Sequence, residues 1–474
     1  MATLSTAFDI ATNALEAVQS ALNIVSNNVA NVNTPGYTRE VANWMENDPI
    51  TINGVNYGEG ATITGPISER DKVIEESLQQ QGQEESASST RLAGLDQLQG
   101  LFNQVTSGNT SSSTSNTTGI GQDMSNFFDA LSSLEATPAD GSLRQAVLTA
   151  ATNLVSDFQA ASSQLSQQQA SLDQQSTSVV TQVNALTQSI AQLNGEIQST
   201  SPNADAGTLE DQRQEDIQQL SQLIGIHQIQ TENNGLTLTT SSGALLVSEN
   251  QSYSLTAAPL DGVTHIFDSE GADITTSLAS GGGQLGGLLT VRDQDIPQIQ
   301  NSLDTLAFDL GTQVNTANEA GSDANGNPGV AIFNLPTSAA GAAASISVAI
   351  TDPSLIAAAA TGQGSSDDSN LLTMVGLQNQ AIIDGATPAD YFSDFVSNLG
   401  SLVSEVSTQN TAQQASVSQL ENQVNSLSSV NLNEEASSLE TLEQSYEAAS
   451  KIFTILDSVM NSALNLGVEQ AFSS

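Results

Sequence analysis

The amino-acid sequence predicts a mainly α-helical α+β fold: paired terminal coiled-coil helices, an elongated helical bundle and a small inserted antiparallel β-domain. Three observations carry this. Both chain ends hold an unbroken apolar heptad, and the middle holds long stripes at three-four-seven spacing. After Ile226 the apolar period drops to two, with a turn signal roughly every ten residues.

The first heptad runs Leu4, Phe8, Ala11, Leu15, Val18, Leu22, Val25, Val29, Val32 in alternating steps of four and three. A period of about 3.5 residues makes one narrow stripe that asks for a partner stripe. Pro35 and Gly36 end it, one unable to continue a helix, the other free to take positive φ. From Trp44 to Pro66 the short runs Thr51–Val55 and Gly58–Thr64 predict a small hairpin or extended arm. Residues 67 to about 105 return to a polar, glutamine-rich helix. The Ser/Thr/Asn/Gly stretch 106–119 is too polar to fold alone.

Helix then fills 120–224, broken near Thr137-Pro138 and at Ser201-Pro202-Asn203. Its stripe is Leu165, Leu172, Val179, Val183, Leu186, Ile190, Leu193 and Ile197, as a bundle or elongated coiled coil requires. Strands are expected at Thr237–Thr239, Ala244–Val247, Tyr253–Leu255 and His265–Phe267, separated by Gly-containing turns. Helix resumes at about 291 and stops before Asp323–Gly329. A second β patch is expected at Ser345–Ile350, and helices from about 370 onward. The last heptad is Leu439, Leu442, Tyr446, Ala449, Phe453, Leu456, Met460, Ala463.

The expected domains are nested. Residues 1–45 with 428–474 form a terminal helical assembly domain. Residues 46–225 with 288–330 and 368–427 form a mainly helical bundle with a short β arm near 46–66. Residues 226–287 with 331–367 form a β-rich outer domain. Two terminal helices with matching stripes can close on each other and leave surfaces for further copies, as in a subunit of a tubular assembly. Ordinary core helices also show such spacing. Chain ends are usually the least ordered part of a domain, however, and these carry only one apolar face.

Composition narrows the function. The chain has 52 acidic and 8 basic residues, a net charge of −44. Such a surface repels phosphate backbones and anionic membranes, which speaks against nucleic-acid binding and membrane insertion. Solubility explains it, and an acidic habitat of the source is a second reading, under which assembly should persist at pH about 4. There are no cysteines, so disulfides, thiolate metal sites and a cysteine nucleophile are excluded. The first thirty residues lack a basic start and a continuous apolar run, unlike a cleavable signal peptide.

No catalytic, cofactor or metal site is expected. His227 and His265 have no companions at ligand spacing, and no HExxH, GxSxG or GxxxxGK[ST] occurs. Gly281–Gly286 satisfies G-x-G-x-x-G, but it follows an antiparallel meander rather than opening a βαβ unit, so it reads as a glycine-rich turn. Asp323, Asn325 and Asn327 begin like a calcium loop, yet Pro328 stands where that loop needs glycine; a turn is expected.

The segment Ser26-Asn27-Asn28-Val29-Ala30-Asn31-Val32-Asn33-Thr34-Pro35-Gly36-Tyr37 resembles the N-terminal signature of the flagellar rod, hook and hook-associated proteins. Its asparagines flank the heptad stripe, where their amides are expected to bond to neighbouring subunits. Val430–Ala436 and Leu442–Ile452, Gln444 and Tyr446 among them, resemble the C-terminal signature of that group. Met124–Phe128, Gly286–Asp295 and Asp323–Gly326 are similar to its hook–filament junction members, and rod and hook proteins lack the long helical middle 120–224. The resemblance implies export, without a cleaved signal, through the flagellar type III apparatus. It also implies a zone seated between hook and filament. The implied partners are copies of the chain, the hook protein, a second hook-associated junction protein, and a cytoplasmic export chaperone on the C-terminal helix. Longer members carry a further outer domain for which 331–367 is too short, so roles resting on that domain do not transfer. A hook or rod subunit is the alternative. A secreted adhesin or enzyme seated in 226–367 has no constellation behind it.

Overall fold

The computed structural model describes residues 2–34, 36–52, 54–103, 119–200, 206–232, 234–260 and 262–471. The expected polar loop, apart from Gly119, and the break at 201–203 lie outside them, as do Pro35 and the side chains of Leu4 and Ala463.

Helix α1 (Ala2–Asn31) ends in a turn closed by Thr34 N donating to Asn31 O at 2.8 Å. Gly36 follows at φ +74°, and a Cβ there would lie 3.1 Å from Glu215 Oε2, so glycine is needed on both counts. The arm comes next. Strands β1 (Glu40–Glu46) and β4 (Ala61–Ser68) pair antiparallel and enclose the hairpin β2 (Ile50–Ile52) and β3 (Val55–Tyr57).

Three helices build the bundle's first half: α2 (Lys72–Asn103), α3 (Ile120–Ala136) and the 60-residue α4 (Gly141–Thr200). Leu165, Leu172, Val179, Val183, Ile190 and Ile197 are all buried along α4, so the stripe read from the sequence is its inner face. Helix α5 (Thr208–Leu223) then leads into a four-stranded antiparallel sheet of β5 (Ile226–Gln230), β6 (Leu236–Thr240), β7 (Leu245–Ser248) and β8 (Gln251–Ser252). The hairpin β9 (Thr256–Leu260) and β10 (Val263–Phe267) follows. The strand expected at Tyr253–Leu255 is thus displaced to 256–260. Asn184 of α4 holds Leu255 by both backbone groups at 2.8 Å, which takes that residue out of any ladder.

After the short α6 (Thr275–Ala279), the chain turns at Gly282, and helix begins at Gly283, earlier than the sequence suggests. Helix α7 (Gly283–Thr290) passes through a π-turn, Val291–Asp295, into α8 (Ile296–Glu319). The π-turn presses Val291 against α2 so closely that a Cβ at Gly94 would meet it at 2.9 Å. Asp323 then closes the expected turn, accepting the amides of Asn325 and Asn327 at 2.8 Å.

The remaining β structure is minimal: β11 (Gly321–Ser322) with β14 (Ala359–Ala360), and β12 (Phe333–Asn334) with β13 (Ser347–Val348). The patch expected at 345–350 is therefore reduced to two paired residues. A helical turn, α9 (Ala342–Ser345), takes its start, because the Asp304 carboxylate accepts the amides of Gly341 and Ala343 at 2.8 and 2.9 Å. The chain ends in α10 (Ser369–Gly376), α11 (Pro388–Ser428) and α12 (Leu432–Ala471).

Residues 226–287 and 331–367 share no sheet, contrary to the β-domain expected from both. They dock on different parts of α4: Arg144 and Gln159 bond to the carbonyls of Ile356 and Ile346, whereas Asp173, Asn184 and Asn194 bond to the 226–267 sheets. From Arg144 to Asn194 is about 75 Å along an axis rising 1.5 Å per residue. One continuous core joins these parts, from Leu95 to Val406, and no residue of α1 or α12 belongs to it. No helix among the described residues is long and apolar enough to cross a membrane.

Candidate assembly site

The terminal helices pack on each other rather than on the bundle core. Phe8 and Phe453 meet with ring centroids 4.6 Å apart. On α1 the buried positions are Ala11, Ala17, Val18, Ala21, Ile24, Val25 and Asn28, while Phe8, Leu15, Leu22 and Val32 are half-buried and Val29 is exposed. On α12 the covered row is Glu435, Leu442, Ala449, Phe453, Leu456 and Met460. Leu439 and Tyr446 belong to the same heptad but stay exposed, beside Leu432, Ile452, Ile455 and Val459. A straight α-helix drifts relative to a 3.5-residue repeat, so one partner helix cannot cover the whole row. Several large apolar side chains among the described residues of α12 therefore stay exposed in the single chain.

A polar node locks the base of this pair. Asn28, only 1 % exposed, donates through Nδ2 to Glu40 O at 2.8 Å and to Glu435 Oε2 at 3.2 Å. Its Oδ1 accepts from the Tyr37 hydroxyl at 2.8 Å and from Glu40 N at 3.0 Å. Both donors and both lone pairs are thus used. The sequence reading placed Asn28 toward neighbouring subunits; the fold instead commits its amide inside the chain. Asn31 donates to Asn27 O and Oδ1 and accepts from Thr34, while Asn27 itself is exposed. Gly36 and Gln444 are exposed as well.

Arg39 completes the node, a residue that sequence reasoning passed over. Its guanidinium reaches Glu435 at 2.7 Å, Glu69 at 3.0 Å and Glu434 at 3.3 Å, and its amide donates to Ser428 O at 2.9 Å. One arginine so ties β1, the end of β4, the end of α11 and the start of α12. Burial opposes its charge, but the hydrogen bond to Glu435 and the fields of Glu69, Glu435 and Glu434 prevail and raise its pKa. Burial, then Glu40, Asp211 and Glu435, push the Tyr37 hydroxyl far above the ordinary phenol range, so it remains a donor at any working pH. Arg70 extends the node to Asp211 of α5 and to Glu75, joining the arm to the bundle.

The shortage of cations was the signal that marked these residues. All six arginines are held inside the chain: Arg39 and Arg70 here, Arg91 on Asp295, Arg144 on the Pro138 and Ile356 carbonyls, Arg213 on Asn194 and Asn234, and Arg292 on Asp173, Asp293 and Thr264. No group of three or more histidines and carboxylates among the described residues is placed to hold a metal ion.

Residues 95–333 match the family model of the flagellar hook-associated protein FlgK helical domain, and residues 8–38 match the flagella basal body rod protein model. The chain is similar to flagellar hook-associated protein 1 of Escherichia coli (strain K12), at 25% identity over 557 residues, covering 98% of this chain and 100% of that one. The protein of the same name from Bacillus subtilis (strain 168) is 26% identical over 505 residues, covering 96% and 97%. Both alignments exceed the 474 residues of this chain, so these relatives carry residues it lacks. The solved structure of the flagellar hook junction protein FlgK from Burkholderia pseudomallei shares the fold, with a TM-score of 0.65, 21% identity, and coverage of 73% of this chain and 99% of that one.

Proposed function

Because the chain belongs to the flagellar hook-associated protein FlgK family, a family of flagellar structural components rather than enzymes, we propose that it joins the hook to the filament. Its terminal helices form the contacts with copies of itself, with the hook protein on one side and with a second hook-associated protein on the other. It leaves the cell through the flagellar type III apparatus, with a cytoplasmic chaperone covering the C-terminal helix until export.

The observation that carries this reading is the division of apolar surface. The bundle core closes without α1 and α12, and α12 keeps exposed apolar side chains on both flanks of the α1 contact, Leu439 and Tyr446 on one and Ile452, Ile455 and Val459 on the other. Monomeric proteins rarely leave so many large apolar side chains uncovered on one element unless it is an interface. The 226–240 strands lie near the arm, Gln83 of α2 donating to Ile226 O at 3.1 Å, while residues 331–367 dock toward the start of α4 at Arg144 and Gln159, which suits a body projecting outward while the termini line the assembly. The arm and the Arg39 node couple the two.

Motility and filament attachment test the proposal in a strain lacking its own junction protein. Full-length protein should restore both, and a chain lacking residues 1–45 and 428–474 should restore neither. Rescue by the shortened chain would place the function outside the terminal helices and overturn the reading.

A further inference from the structure

Two carboxylates face each other across the α3–α4 contact, and no mechanical role accounts for them. Asp123 of α3 is 4 % exposed, and its Oδ1 accepts from Asn126 Nδ2 at 3.0 Å. Asp157 of α4 has a buried Oδ2 that finds no N–H or O–H donor among the described residues. Helices α3 and α4 pack on each other, and the Asp157 carboxyl is close enough to that of Asp123 to hydrogen-bond with it once one of them is protonated. The same two helices bury Phe127, Phe128 and Phe158, each less than 2 % exposed.

No cation is available to neutralise the pair. Helices α9 and α10, which also pack on α3 and α4, carry no ionisable side chain. Helix α11, which packs on α3, carries Asp390 and Asp394, both exposed, and α8, which packs on α4, carries Asp304, already occupied by the Gly341 and Ala343 amides. Among the charged groups of α2, which touches α4, is Arg91, bound to Asp295. Arg144, on α4 itself, is held by two backbone carbonyls. Two ionised carboxylates at this distance, with one oxygen dry and undonated, are unfavourable; one proton between them turns the repulsion into a hydrogen bond.

We propose that Asp123 and Asp157 share a single proton, forming an acid-strengthened clasp between α3 and α4 that weakens as the proton leaves. The proton resides on Asp157, whose pKa is pushed from 3.8 to about 6 by burial first and by Asp123 second. The sign follows from that direction. In the unfolded chain Asp157 titrates at its ordinary value, so the folded state binds the extra proton. Its stabilisation is complete below the unfolded pKa and is lost as pH rises through about 6. Bacterial surroundings cross that range, so the bundle end carrying α3 is tighter in acid than at neutrality.

The test uses the full-length chain. Urea unfolding at pH 5 and pH 7.5 is compared for the wild type and Asp157→Asn, whose amide donates to Asp123 without a second charge. The wild-type folding constant should fall several-fold more than that of the variant between the two pH values, less than the roughly tenfold that the full shift would give, because water reaches part of Asp157. Parallel profiles would overturn the proposal. Carboxyl ¹³C titration of Asp157 in the wild type decides the matter even if the variant fails to fold. A midpoint near pH 6 supports the shared proton, and one in the ordinary aspartate range, as a bound cation would give, refutes it.

Discussion

Asn28 Nδ2 and Glu435 Oε2 lie 3.2 Å apart although 407 residues separate them in the chain. That bond, with the Arg39–Glu435 contact at 2.7 Å, makes the start of α12 continuous with the end of α1. Glu435 is 1 % exposed, and these two partners meet its buried carboxyl group.

Asn28→Ala strips Glu40 N, Glu40 O and the Tyr37 hydroxyl of a partner at once, and leaves Glu435 with Arg39 alone. Unmet buried groups of this kind cost about 1–3 kcal/mol each before relaxation, so a loss of roughly 2–4 kcal/mol is expected for the terminal unit. Because the bundle core excludes these helices, the loss should appear as early proteolysis of α12 with the main melting transition unchanged. Equal resistance of α12 in the variant and the wild type would show that the node does not hold it.

The terminal pairing was legible in the sequence because a heptad is a local pattern: Val18, Val25, Ala449 and Phe453 mark their own face. Long-range polar partners leave no such trace. Nothing at Asn28 or Arg39 names Glu435, and the asparagine signature suggested contacts between subunits rather than within one. The π-turn at Val291–Asp295 was equally hidden, since its cause is a tertiary fit: Arg292, 1 % exposed, must reach Asp173 and the Thr264 carbonyl while Asp295 faces Arg91. Short paired strands such as β12 and β13 fail for a similar reason, because two residues carry too little alternation to compete with an alanine-rich helical turn. The α12 heptad was legible as a pattern, but which of its residues α1 covers depends on how a straight helix drifts from its repeat.

Ile455 and Phe453 separate assembly from folding. Ile455 is 62 % exposed, whereas Phe453 packs on Phe8. Ile455→Asp should leave the monomer's circular dichroism and melting unchanged, within about 0.5 kcal/mol, yet abolish motility rescue. Phe453→Ala should weaken the α1–α12 pair by about 2–4 kcal/mol and lower rescue only in proportion. Full rescue by Ile455→Asp would remove the face carrying Ile452, Ile455 and Val459 from the interface.

Trp44 is the single tryptophan, and at 48 % exposure it stands on the arm beside exposed Met45, with Val55 and Tyr57 on the adjoining hairpin. Its emission in the monomer should be that of a wet indole and should be quenched by acrylamide. If the arm closes against a neighbour in the assembled state, the emission should shift to the blue and quenching should fall. An unchanged spectrum on assembly would leave the arm outside the interface.

Ionic strength should act on association of copies in an unusual direction. The described parts of α1 and α12 carry Asp9, Glu16, Glu434, Glu435, Glu440, Glu443, Glu447, Asp457 and Glu469 against one cation, Lys451. Every arginine elsewhere is already paired or hydrogen-bonded within the fold, so a second copy offers few countercharges. Contacts between copies must then rest on the exposed apolar side chains and work against repulsion, which salt screens over about 10 Å at 0.1 M and about 3 Å at 1 M. Association measured by sedimentation should strengthen from low to high salt and respond to Ile455→Asp at every salt concentration. Weakening with salt would mean that ion pairs, not the apolar side chains, hold the copies together, and would point to Lys451 and Lys72 as the groups that make them.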